Sequence, residues 1–346
     1  MKIAAPISHV DEIGPLAAAG ADELYCGVVP QEWVARFGNA MVSRRIFGNL
    51  ESLAALRQAI DAAHEAGVSL ALALNAQHYA GAQLDMLREL LEFYAAEGGD
   101  AVIVGDAALL SLLGDLDDRL RIHVSSLAAC RNREAAALYQ ELGADRVILP
   151  RTVNLAEACT LASTLPELEF EAFVLYDGCV YEEGACHTLH LPGQLGGPIC
   201  LDRYQTEVRR IDGLPLPQAL VERVAHNDAC REQWLWHRFS CGFTVTPEGD
   251  PFGPCGLCAL PELANAGITT IKVAGREAPM ARKVRSVALV DRVRAQWRKR
   301  HDAAEVRDFA QGLRNARSLC RGGYMCYYPE VLEMEPDAAP GKMATG

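Results

Sequence analysis

Apolar residues along this chain fall in short runs without clean alternation. They are "KIAAPI" (Lys2 to Ile7), "DELYCGV" (Asp22 to Val28), "SLALALN" (Ser69 to Asn75), "DAVIVGD" (Asp100 to Asp106), "RIHVSSL" (Arg121 to Leu127), "RVILPR" (Arg146 to Arg151), "EFEAFVLY" (Glu169 to Tyr176) and "TTIKVAG" (Thr269 to Gly275). Runs apolar at successive positions suit strands buried on both faces, as in a parallel sheet. Helix-length amphipathic segments such as "NLESLAALRQAIDAAHEAG" and "NREAAALYQELGA" lie between most of them. Gly20, Gly67, Gly143 and Gly267 stand where such helices would stop. Eight strand–helix units predict an α/β chain closed into a (β/α)8 TIM-type barrel. No "GxGxxG" follows the first strand, which argues against a doubly wound dinucleotide-binding fold.

One stretch breaks the rhythm. Residues 177–260 separate strand seven from "PELANAG", the helix leading into strand eight. They read as a cysteine-rich insertion in the loop after strand seven, and such loops build the functional face of this fold. The barrel is expected over residues 1–301, insertion included. Residues 302–346 form a C-terminal extension, partly disordered, ending "EMEPDAAPGKMATG". "ARKVRSVALVDRVRAQWRKR", after strand eight, reads as a basic helix.

Composition narrows the setting. The 346 residues carry a net charge of −12. That charge disfavours bare RNA or an anionic membrane as a default partner, although the basic helix Arg282 to Arg300 could meet phosphates. The more ordinary reading of that helix is a solvated face whose apolar side packs on the barrel. No apolar run reaches the roughly 18 residues of a membrane span, and "MKIAAPISHVDEIG" lacks a signal-peptide core. A cytoplasmic location is expected.

Twelve cysteines change the picture. In a reducing compartment, clustered thiols point to metal binding or catalysis rather than to disulfides. Six lie in loop-like sequence: Cys179, Cys186, Cys200, Cys241, Cys255 and Cys258. Cys230 falls in "HNDACREQWLWHRF", which reads as helix. Cys255 and Cys258 form "CGLC", whose two-residue gap lets both sulfurs reach one metal. Iron–sulfur clusters and structural zinc both accept four such thiolates. Cys320 and Cys326 form a further pair in the tail.

"EAFVLYDGCVYEEGACHTLH" resembles the signature of the peptidase U32 family, the collagenase-like peptidases, with Glu171, Phe173, Cys179, Gly184 and Cys186 in register. "CALPELANAGITTIKVAGRE" is similar to the family's later motif through Cys258, Pro261, Leu263, Gly267, Lys272, Gly275 and Arg276. "ADELYCGV" and "RIHVSSLAACRN" resemble its second and fifth strands. The resemblance implies a barrel with a [4Fe–4S] cluster on Cys179, Cys186, Cys200 and Cys258, with Cys241 and Cys255 in reserve. Ala274 stands where the family has Glu, so that carboxylate's role does not carry over. The tail pair Cys320 and Cys326 lies outside the family pattern; its readings are a cover for the cluster, a second metal site or no role, with no role slightly ahead.

The resemblance further implies an oxygen-independent hydroxylase or related redox enzyme. Its substrate would be a small aromatic molecule or a nucleobase, with prephenate as an oxygen donor. The alternatives are a non-catalytic cluster- or zinc-bearing subunit of a heterodimer, and a peptidase. No "HExxH" helix is present, and an iron-bound thiolate is not a free nucleophile, although His187 and His190 lie beside Cys186. Net charge leans towards a small molecule or a family partner subunit. Polar residues at the C-terminal strand ends are the substrate-binding candidates: Asn75, His123, Ser125, Arg151, Lys272 and Arg276. Arg151 and Arg276 could clamp a carboxylate bidentately, and His123 could equally be a core histidine.

Overall fold

The computed structural model describes residues 1–38, 42–43, 47–114, 120–176, 178–179, 182–186, 206–235, 244–245, 251–315, 317–323 and 325–332. The strands in chain order are β1 (Lys2–Pro6), β2 (Glu23–Cys26), β3 (Ser69–Leu74), β4 (Ala101–Val104), β5 (Arg121–Val124), β6 (Arg146–Ile148), β7 (Glu169–Leu175), β8 (Thr244–Val245), β9 (Pro251–Phe252) and β10 (Thr270–Val273). Strands β8 and β9 form a small antiparallel hairpin. The other eight close a parallel barrel in the order β1-β10-β7-β6-β5-β4-β3-β2. Each barrel strand lies within one of the eight apolar runs. The strands are shorter than the runs because the last residues leave the ladder to turn over the rim. Tyr176 shows this, with a left-handed φ of 62°. Its N–H donates to Pro254 O at 3.0 Å, and the Arg282 guanidinium lies 4.4 Å over its ring.

The helices are α1 (Ile13–Ala18), α2 (Gln31–Phe37), α3 (Leu53–Glu65), α4 (Gly81–Ala96), α5 (Ala107–Leu113), α6 (Arg133–Glu141), α7 (Leu155–Thr164), α8 (Gln218–Leu235), α9 (Leu260–Asn265), α10 (Met280–Arg300), α11 (Ala303–Arg314) and α12 (Arg317–Arg321). Their starts follow capping chemistry: the side chains of Ser52, Asp106, Asn132, Asn154 and Asp302 accept backbone N–H groups of the first turn. Gly20, Gly67, Gly143 and Gly267 all have positive φ where helices end, as the sequence predicts. Helix α10 buries Val287, Leu289, Val290 and Val293 and leaves Arg285, Arg292, Arg298, Lys299 and Arg300 exposed. Its Lys283 and Arg294 are buried in ion pairs with Glu12 and with Asp22 and Asp291. The described helix is therefore a solvated basic face on an apolar seat. Cys230 lies on α8, a helix as expected. The extension begins as helix α11, and residues 333–346 lie outside the described residues. No helix of the described residues is long and apolar enough to cross a membrane.

A barrel interior is ordinarily filled by branched apolar side chains. Here a column of charge runs through it. Arg146 on β6 holds Glu23 on β2 with bonds of 2.5 and 3.0 Å, Glu169 at 2.7 and 2.9 Å, and Glu171 at 3.1 Å. Lys272 on β10 completes it, 2.6 Å from Glu171 and 3.8 Å over the Tyr25 ring. Burial raises the Glu23 carboxyl, but the hydrogen bonds and charge of Arg146, with Lys2 beyond, outweigh it and hold Glu23 at about 2. A cavity of about 430 Å³ opens at the N-terminal end of the strands, lined in part by Lys2, Glu23, Arg121 and His123. In this fold that end carries stability rather than chemistry.

Candidate functional site

The loop after β7 is bolted to the neighbouring rim, beyond β5 and β6, by one acid. Glu183, in a short 3-10 turn (Glu183–Ala185), accepts the Arg151 N–H at 2.9 Å and the Ser126 hydroxyl at 3.0 Å, and pairs with the Arg151 guanidinium. Glu182 adds Thr152 at 3.1 Å and Arg131 at 2.9 Å. The Gln77 amide donates to the carbonyls of Glu183 and Gly184. Gly184 sits so close to Ala129 that a Cβ there would lie 2.5 Å from the alanine methyl. Cys179 and Cys186 flank this anchored turn and are half-buried. They are soft thiol donors on a braced loop at the C-terminal face, which fits the donor chemistry of an iron–sulfur cluster. Cys200, Cys241, His187 and His190 lie outside the described residues. Among the described residues, no three His, Cys, Asp or Glu side chains already converge to hold a metal ion. Glu183→Gln should loosen the turn by about 1–3 kcal/mol, since it weakens a buried charge-assisted bond. If this loop carries the cluster that the family resemblance implies, iron bound per chain falls while the barrel's melting temperature stays close to wild type. An unchanged iron content would show that the anchor is dispensable.

The other candidates divide between two places. Arg276 lies on the rim beside β10, donating to Ser43 Oγ at 2.6 Å and Asn49 Oδ1 at 3.3 Å. Ser43 in turn reaches Asn75 at 3.4 Å. Gly27 permits this cluster, because a Cβ there would overlap Asn49 and the Arg276 guanidinium. Arg151 stands on the β6 side, its guanidinium 3.6 Å over the Phe173 ring. The two arginines thus belong to separate clusters, Arg151 with Glu183 and Arg276 with Ser43 and Asn49. Lys272 lies within the barrel, paired with Glu171. Its ammonium is pulled below the ordinary value by burial, against the charge of Glu171. His123, expected at a strand's functional end, lines the cavity at the N-terminal end instead. Burial, reinforced by Arg146, holds it well below 6.5 and neutral. Ser125 caps the short turn that follows β5, accepting the Leu127 N–H at 3.2 Å.

The sequence favoured no role for the tail cysteines, yet the tail packs on this face. Tyr327 lies 6.4 Å from Phe173 between ring centroids and donates its hydroxyl to Tyr176 O. Cys255 bridges both Leu175 of β7 and Cys326 of the tail. Cys255, Cys258, Cys320 and Cys326 line one cavity, whose described lining includes neither Cys179 nor Cys186. Burial, with the charge of Cys255 adding to it, pushes the Cys258 thiol up to about 12 and the Cys320 thiol up to about 11. The "CGLC" spacing was a legible sign of this pocket, and the tail pair was visible as well, but nothing local joined the two.

Comparison with known proteins follows the same outline. Residues 8–335 match peptidase family U32. The tRNA hydroxylation protein P of Helicobacter pylori is 25% identical over 186 residues, 54% of this chain and 42% of that protein. The protein of the same name from Escherichia coli is 27% identical over 169 residues, covering 49% and 35%. An uncharacterized protease of Methanocaldococcus jannaschii is 30% identical over 171 residues, covering 48% and 38%. The matched region thus spans less than half the length of each of these relatives. A solved U32 peptidase aligns at a TM-score of 0.40 and 18% identity, over 50% of this chain and 68% of that one.

Proposed function

The chain belongs to peptidase family U32, and from that premise we propose that it is an oxygen-independent hydroxylase acting on a nucleobase of tRNA. The observation that carries this reading is its similarity to tRNA hydroxylation proteins of several bacteria. The whole-chain charge of −12 leans the other way. The exposed basic face of α10 supports the reading, because phosphate contacts depend on local rather than net charge.

In this proposal Cys179, Cys186 and Cys200 hold a [4Fe–4S] cluster, and Cys241 replaces Cys258 as the fourth ligand because Cys258 faces three other thiols. The cluster would supply redox chemistry at the mouth. The chain's own part is placement. Glu183 fixes the cysteine loop, the buried Phe173 and Tyr327 back the mouth as a packed wall, and Arg151 and Arg276 supply positive charge beside it for an anionic substrate or donor. Prephenate, a diacid, is the proposed oxygen donor. Hydroxylation is a two-electron oxidation of a C–H bond, so the donor or a further acceptor must take up those electrons. The test is anaerobically purified protein incubated with tRNA and prephenate, followed by nucleoside mass spectrometry. A nucleoside one oxygen heavier, dependent on both additions, is expected. Turnover only with a second chain present would favour the partner-subunit reading, and peptide cleavage without tRNA oxidation would favour the peptidase.

A further inference from the structure

Cys255, Cys258, Cys320 and Cys326 come from segments some sixty residues apart, yet they line one cavity of about 20 Å³. The backbone makes this meeting specific. Cys255 N–H donates to Met325 O at 2.7 Å, and Tyr327 N–H donates to Cys255 O at 2.8 Å. This is a parallel bridge that sets Cys255 beside Cys326. Gly256 then starts the 3-10 turn Leu257–Ala259 that delivers Cys258. A side chain at Gly256 would come within 2.9 Å of the Tyr328 ring, so glycine is what lets the tail press in. On the other side, Gly323, at φ 69°, donates to Cys320 O at 3.0 Å, and Cys326 N–H donates to Gly323 O at 3.0 Å. The chain doubles back, and Cys320 and Cys326 face the same space. Arg314, buried, lies against that space and anchors to Gly253 O at 3.0 Å.

We propose that these four cysteines form a structural zinc site, distinct from the cluster on the loop after β7, that clasps the C-terminal tail to the barrel mouth. Four thiols in two close pairs are the donor set of tetrahedral structural zinc. A space of about 20 Å³ admits one ion rather than a four-iron cube, since about one water-sized sphere needs 10–15 Å³. The thiols do not yet converge at ligating distance; each has a single side-chain torsion to turn, and zinc would draw them in. Each thiol releases its proton on binding. The resulting tetrathiolate centre carries two negative charges, and the Arg314 guanidinium beside it partly offsets them. The consequence for function is mechanical. The bridge that places Cys326 also places Tyr327 over Phe173, so zinc would set one wall of the mouth.

The test uses the full chain, expressed with zinc and purified anaerobically. About one zinc per chain is expected, with an X-ray absorption shell of four sulfurs at about 2.3 Å. The Cys320→Ser/Cys326→Ser double variant should lose the zinc, keep its iron, and become several-fold more sensitive to proteolysis in the tail. Cys179→Ala should do the reverse, losing iron and keeping zinc. Expression in cobalt gives a second readout that needs no variant: intense tetrahedral thiolate–cobalt bands. Absence of zinc from the wild type, a nitrogen or oxygen shell, or zinc retained by the double variant overturns the proposal. Loss of iron rather than zinc in the double variant would assign the tail thiols to the cluster and overturn it too.

Discussion

Replacing Arg146 by methionine is expected to lower folding stability by about 3–5 kcal/mol, the usual cost of removing one partner from a buried charge network. Glu23, Glu169 and Glu171 all direct carboxylate oxygens at this guanidinium. Without it, three like charges would meet with Lys272 as the one cation inside the barrel and only Lys2 and Arg121 at the margins. A fall in the urea-unfolding midpoint, followed by far-ultraviolet circular dichroism at pH 7, is the measurement. Adding Glu23→Gln and Glu171→Gln to Arg146→Met should recover part of the loss, because the harm comes from unpaired charge rather than lost volume.

The pH dependence gives an independent check. The Glu23 carboxyl ordinarily titrates near 4.5 and is held at about 2 in the folded chain. Its contribution is therefore complete above 4.5 and drains away as the pH falls towards 2. In Arg146→Met the same carboxyl loses its main partner while burial still raises it, so acid helps the variant relative to wild type. The stability gap between the two proteins should be widest near neutrality and narrow steadily below pH 4.5. A gap that stayed constant down to pH 2 would mean that packing, not charge, explains the loss.

The second large effect is expected at the loop after β7. Under the proposed function, Cys179→Ala and Cys186→Ala should each abolish the iron chromophore and reduce tRNA hydroxylation to background. Measured against cluster-free wild type, stability should change little, within about 0.5 kcal/mol, because both thiols are only half-buried on a rim loop. Cys130→Ala and Cys159→Ala provide the contrast. Cys130 is fully buried and Cys159 packs on the helix layer, so both variants should keep the colour. Retention of colour and activity in Cys179→Ala would move the cluster off this loop altogether.

Much of this protein is legible residue by residue. Eight apolar runs predict eight barrel strands, since a strand buried on both faces must be apolar at successive positions. Glycine at helix ends and Asn, Asp or Ser at helix starts mark most of the elements between. The pairing of Cys179 with Cys186, and of Cys255 with Cys258, is visible because each pair is local. His123 shows the limit. It lies in a recognisable strand, but whether a strand residue faces the mouth or the lower cavity depends on its height in the closed barrel. Net charge shows another, since the buried Lys283 and Arg294 and the exposed Arg292 count alike in the total but act quite differently.

What the sequence by itself determined is the succession of elements and the local spacing of donors, because both follow from periodicities a few residues long. Closure decided the rest. It brought Glu23, Arg146, Glu171 and Lys272, from four separate strands, into one column, and it carried Glu183 to Arg151 and Ser126. It also set Cys255 against Cys326 across some seventy residues. None of these meetings has a local signature. Each exists because a ring of eight strands has fixed circumference and stagger, so residues distant in sequence become neighbours only once the ring is complete.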